Sequence, residues 1–148
     1  MNEIKNILFA TDFSESSDFS IKHALLFSKT FNAKLHVLHV VNEPVDLSGF
    51  YVPHISFEKL EEEIAEGAQK MMDNFIKSNL KGFDNFETFV VSGVPFNVIL
   101  DKATEIDADL IIMGTHGRTG LDHVLFGSTA EKVVRKSQIP VLTVRIGE

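Results

Sequence analysis

A chain of 148 residues suits one domain with a full core, and its 44% of apolar residues, including 13 Phe, can fill one. A formal charge of −7, from 14 basic and 21 acidic residues with no basic run, argues against nucleic acid or an anionic membrane as partner. There is no Cys, which excludes a disulfide framework or thiolate metal site, and no apolar run reaches the roughly 18 residues of a membrane span.

The first residues, Met1-Asn2-Glu3-Ile4-Lys5, lack a signal-peptide pattern, so a soluble, cytoplasmic protein is expected. Residues 4–10 form a short apolar run that reads as a first, central strand. Thr11-Asp12-Phe13-Ser14 breaks it, and Asp12 or Ser14 can cap the next helix. That helix is predicted over 15–30, with Ile21, Ala24, Leu25 and Ser28 on one face. Residues 33–41 give the second strand, where His36 and His39 fall on opposite faces because strand side chains alternate.

Residues 42–56, with Pro44, Gly49 and Pro53, form an irregular connection of unusual length. A long amphipathic helix is predicted over 57–80, with Phe57, Leu60, Ile64, Ala68, Met71 and Phe75 recurring at steps of three and four. Glu61, Glu62 and Glu63 near its start read as a solvated face, and Gly67 should weaken it by roughly 1 kcal/mol relative to Ala. Residues 86–91 form a third strand. A helix follows to about 106, with Pro95 in its first turn and Ile99, Ala103 and Ile106 inward. Residues 109–113 show no alternation, as in a strand buried on both faces. A helix over 128–137 carries Ala130, Val133, Val134 and Ser137 as its inner stripe, and residues 141–146 form the fifth strand.

Strand and helix alternate five times without an internal repeat or linker. The prediction is one domain over 1–148: an open, doubly wound, parallel α/β sheet with helices on both faces.

The fourth strand runs into Met113-Gly114-Thr115-His116-Gly117-Arg118-Thr119-Gly120, and the last helix opens at Gly127-Ser128-Thr129-Ala130. A strand, a glycine-rich loop and a helix N-terminus together hold phosphate well. Glycines admit close backbone approach, and the helix start offers unpaired N–H groups and a positive dipole end. Competing motifs fail: the first strand is followed by no glycine, and G-x-x-x-x-G-K-S/T, G-x-S-x-G and H-E-x-x-H are all absent.

The spacing Gly114-x2-Gly117-x9-Gly127-Ser128 resembles the nucleotide-binding signature of the universal stress protein family, in its ATP-binding branch. Ala10-Thr11-Asp12-Phe13-Ser14, His39-Val40-Val41 and Pro140-Val141-Leu142 extend the resemblance over essentially the whole chain. It implies an adenine nucleotide alpha hydrolase-like sheet of strand order 3-2-1-4-5, with the ligand beyond the carboxyl ends of strands one and four, where strand order reverses. It also implies ATP, with Mg²⁺ or Mn²⁺, as ligand. Ala10, Thr11 and Asp12 would border the adenosine, with Val40 against the adenine ring. Residues 114–118 would wrap ribose and phosphates, and Gly127, Ser128 and Thr129 would bind the β- and γ-phosphates. Ala10 stands where relatives often carry Pro.

Each site residue also has a plainer reading. Ser128-Thr129-Ala130-Glu131 is a capping box, in which Ser128 accepts from the N–H of Glu131 and Glu131 reaches back. Asp12 can be a helix cap, His116 a loop residue bonded to backbone, and Arg118 a solvated side chain. His54 and His123 have no partner visible in sequence. The leading expectation is a regulatory, stress-related protein that uses ATP occupancy as a switch. The alternatives are a slow ATPase or phosphotransferase, for which no base or nucleophile stands out, and an interaction module that binds no nucleotide. The fifth strand, at a sheet edge and rich in Val, Leu and Ile, is expected to pair antiparallel with its own copy over 141–146, giving a homodimer.

Overall fold

The structure, a computed structural model, describes residues 3–42, 54–116 and 126–146; for 54–58 it describes the helical backbone alone. Five strands form one parallel sheet: β1 (Asn6–Ala10), β2 (Lys34–Asn42), β3 (Phe86–Gly93), β4 (Leu110–Gly114) and β5 (Val141–Val144). Helices α1 (Glu15–Phe31), α2 (His54–Asn79), α3 (Pro95–Glu105) and α4 (Ser128–Lys136) alternate with them. The strand order is β3-β2-β1-β4-β5, so the direction of progression reverses between β1 and β4. Right-handed crossovers then put α1 and α2 on one face, α3 and α4 on the other.

Two apolar cores follow from this layering. On one face Ile7, Phe9, Leu35, Val37 and Ile112 pack with Ile21 and Ala24 of α1 and Met72 and Phe75 of α2. On the other, Leu8, Leu38, Ile111 and Met113 pack with Ile99 and Ala103 of α3 and Ala130 and Val133 of α4. Ile111 and Ile112 thus face opposite cores, as expected for a central strand with no alternation.

Several predicted boundaries and stripes shift. The connection after β2 is shorter than expected, because α2 begins at His54; residues 43–53 lie outside the described residues. In α2 the buried row is Ala68, Met72 and Phe75, while Leu60, Ile64 and Met71 are exposed. Val134 also points to solvent, because α4 buries a narrower stripe than its composition allows. The first strand starts at Asn6: the Asp109 carboxylate accepts from the N–H groups of Lys5 (2.8 Å) and Asn6 (3.0 Å), tying the entry to the head of β4. The fifth strand ends at Val144, because its carbonyl accepts from Thr115, the residue at which β4 turns away.

Ser14 caps α1, its hydroxyl accepting from the Ser17 N–H at 3.4 Å. Asn32 closes the same helix in the left-handed region at φ 54°, a conformation Asn tolerates.

Candidate functional site

The carboxyl ends of β1 and β4 meet the start of α4 at the point where strand order reverses. A cleft of about 650 Å³ opens there, within the usual size of a small-molecule site.

From β1 come Ala10, Thr11 and Asp12. Asp12 does not cap α1; it braces the loop before it. Its Oδ1 accepts from the Ser14 N–H at 2.9 Å and from the Ser17 hydroxyl at 2.9 Å, and Ser17 Oγ accepts from the Asp12 N–H at 3.2 Å. Phe13 between them sits at φ 64°, a strained position for a bulky residue. Its ring lies 4.1 Å from that of His39 and 5.9 Å from that of Phe75. His39 Nδ1 donates to the Thr11 carbonyl at 2.9 Å, which fixes the imidazole's tautomer and joins the ends of β1 and β2.

From β4 come Met113, Gly114, Thr115 and His116. A side chain at Gly114 would collide with the Ser16 hydroxyl and lie 3.2 Å from that of Ser20. This glycine therefore serves the close seating of α1 on β4. Thr115 is buried, and its hydroxyl is 3.0 Å from His116 Nδ1. Gly117, Arg118, Thr119 and Gly120, together with His123, lie outside the described residues.

From α4 come Gly127, Ser128, Thr129 and Ala130. The capping box read from Ser128 to Glu131 does not form. The helix starts at Ser128, as predicted, so Gly127 and not Ser128 is its cap, at φ −69° and ψ 166° and with no side-chain cap bond. The Glu131 N–H donates to the Gly127 carbonyl at 3.0 Å, and the Glu131 carboxylate turns to Arg135 at 2.7 Å instead of reaching back. The Gly127 N–H itself donates to the Thr115 carbonyl at 2.6 Å, which pins the helix start to the end of β4.

Val40 lines the cleft from the end of β2, beside His39, Val41 and Asn42. The wall that sequence reasoning missed is α2, which contributes Ile64, Gly67, Ala68 and Met71; Ser17 of α1 and Pro95 and Ile99 of α3 also border the space. The signal available for α2 was a glycine in mid-helix. Among the described lining residues Asp12 is the carboxylate, and Thr11, Ser17, Thr115, Ser128 and Thr129 carry hydroxyls. No cluster of three metal-ligating side chains occurs among the described residues. A hard-oxygen set with one carboxylate suits an Mg²⁺ or Mn²⁺ ion that takes its other ligands from phosphate and water. Nor is any helix among the described residues long and apolar enough to cross a membrane.

The universal stress protein family model matches residues 3–145. Universal stress protein MJ0531 of Methanocaldococcus jannaschii is 36% identical over 146 residues, covering 97% of this chain and 84% of that one. Universal stress protein MJ0577 of the same organism is 34% identical over 155 residues, covering 95% and 94%. The solved structure of MJ0577 superposes with a TM-score of 0.85 at 32% identity, over 98% of both chains. That of universal stress protein UspA from Lactobacillus plantarum gives 0.81 at 25% identity, over 98% and 100%. Strand order, layering and similarity along nearly the full length agree, and the chain belongs to the universal stress protein family.

Proposed function

We propose that this protein binds ATP, with Mg²⁺ or Mn²⁺, in the cleft at the reversal of strand order, and that occupancy acts as a regulatory switch in a stress response. One observation carries the reading. Every described residue that the family's nucleotide pattern picks out, from the ends of β1, β2 and β4 and the start of α4, lines the same cleft.

The cleft is chemically divided in a way that suits a nucleotide. Val40, Val41, Ile64 and Met71 are apolar, while the α4 start brings N–H groups and hydroxyls. The helix dipole favours an anion at that end by roughly 0.3–1 kcal/mol, more when buried. Asp12, with the hydroxyls, would hold the metal, which would neutralise charge on the phosphates.

Melting curves with and without MgATP test the proposal. Ligand at about 100 times its dissociation constant adds roughly 2.7 kcal/mol. At about 2–4 °C per kcal/mol for a chain of this size, that is a rise of several degrees. A curve unmoved by millimolar MgATP rejects the site. Mass spectrometry of protein purified without added nucleotide separates the alternatives: bound ATP supports a holding switch, whereas ADP alone supports slow hydrolysis.

A further inference from the structure

Gly67 lies deep inside α2, fourteenth in a helix of 26 residues. Glycine is the poorest helix former after proline, so its place there requires a reason. Three structural reasons fail. Its backbone is not in the left-handed region, which among the described glycines holds only Gly82 and Gly93. A Cβ built on it would meet none of the described residues within 4 Å, so no described element demands the close approach. The helix runs through it without a break.

What lies beyond the missing side chain is the cleft. Gly67 lines it, with Ile64 about one turn before and Met71 about one turn after. Those two large apolar side chains are 38% and 42% exposed, as expected of residues that face a space rather than a core. Val40 and Val41 border the same space from the end of β2. The α2 wall therefore has a bare-backbone notch between two apolar shoulders, on a helix that packs against β2 and β3.

We infer that Gly67 shapes the base subsite: its notch admits the flat aromatic ring of the nucleotide against α2. The inference rests on the reading that the cleft holds a nucleotide. Any side chain larger than a methyl at position 67 narrows the slot between Ile64 and Met71. The phosphate end, built by Gly127 to Thr129, is untouched by such a change.

Calorimetric titration of the full chain with MgATP tests this, comparing wild type, Gly67→Leu and Glu66→Leu. Glu66 is the preceding, exposed residue of the same helix and does not line the cleft. Gly67→Leu is expected to weaken MgATP by roughly tenfold or more, as a filled pocket does, with Glu66→Leu close to wild type. Equal weakening by both variants, or unchanged affinity in Gly67→Leu, overturns the notch. Hydrogen exchange of the wild type needs no folded variant: MgATP should slow exchange across residues 64–71 as well as 127–130. Slowing at 127–130 alone overturns the notch and leaves the nucleotide reading standing. No binding of MgATP by the wild type overturns both.

Discussion

At Gly127 the backbone is in an ordinary extended conformation, φ −69°, that any residue adopts. Gly127→Val should therefore fold and still lose ATP, because the new side chain enters the space that the phosphates need, not because the backbone is strained. A Gly127→Val variant that melts like wild type and binds ATP like wild type would show the phosphate assignment to be wrong. Ser128→Ala separates two roles that the sequence left open. Since Gly127 and not Ser128 is the cap residue, losing the hydroxyl should cost much less than the typical ~1 kcal/mol of a lost cap. Affinity for ATP should fall while the melting temperature of the unliganded protein stays put. The opposite pattern would restore the capping role.

His36 makes a different residue-scale prediction. It is buried, with Nε2 3.1 Å from Asn6 Oδ1, and its Nδ1 is among the buried atoms without a hydrogen-bond partner in the described residues. Burial pushes its pKa below the ordinary 6.5; Lys34 and Lys102 push the same way, and Glu87 opposes them. As pH falls the unfolded chain takes up this proton first. The stability is complete above the unfolded value and is lost as pH drops through the folded one. Melting temperature should thus decline as pH falls below about 6.5, and more steeply in wild type than in His36→Phe. Parallel declines would remove His36 as a cause.

At the scale of elements, the seam between β4 and α1 depends on Gly114. A methyl there meets Ser16 Oγ at a distance that cannot be tolerated, so either α1 lifts or Ser16 rotates. Gly114→Ala should destabilise by about 1–3 kcal/mol, as overpacking does, measurable by denaturant unfolding. An unchanged midpoint would mean that the helix yields freely. The strand ends and glycine spacing were legible in sequence because they are local patterns: an apolar run, a break, a helix start. The strand order and the placing of Ala10 to Asp12 beside Gly114 came from the family resemblance, and the sheet has that order. The α2 wall was not legible. Its buried row of Ala68, Met72 and Phe75 competes with an equally periodic row of Leu60, Ile64 and Met71. Only the angle at which the helix crosses the sheet decides which row meets the core. The Ser128 capping box was misread for a related reason. The Gly127 N–H bonds to the Thr115 carbonyl, a tertiary contact that makes Gly127 the cap and puts Ser128 inside the helix.

For the whole molecule the open question is the free edge of the sheet. We propose that β5 pairs antiparallel with its copy across a two-fold axis, making a homodimer. β4 pairs with one side of β5, and the strand is short, Val141–Val144. The carbonyls of Pro140 and Val144 accept from the N–H groups of Ile111 and Thr115, so residues of even number face into the sheet. In a strand the N–H and C=O of one residue point the same way, and neighbours alternate. The outward groups are therefore those of Val141 and Thr143. Val144→Pro would be a poor test, because Val144 is buried in the core and its N–H faces β4. Thr143→Pro removes an outward donor while leaving the bonds to β4 in place. An edge with unpaired N–H and C=O groups invites pairing, and a two-fold pairing closes it without further growth. Sedimentation should show a dimer in wild type at tens of micromolar, roughly double the 16.5 kDa chain mass, and a monomer in Thr143→Pro. A wild type that sediments as a monomer, or a Thr143→Pro variant that remains fully dimeric, would put the interface elsewhere or nowhere.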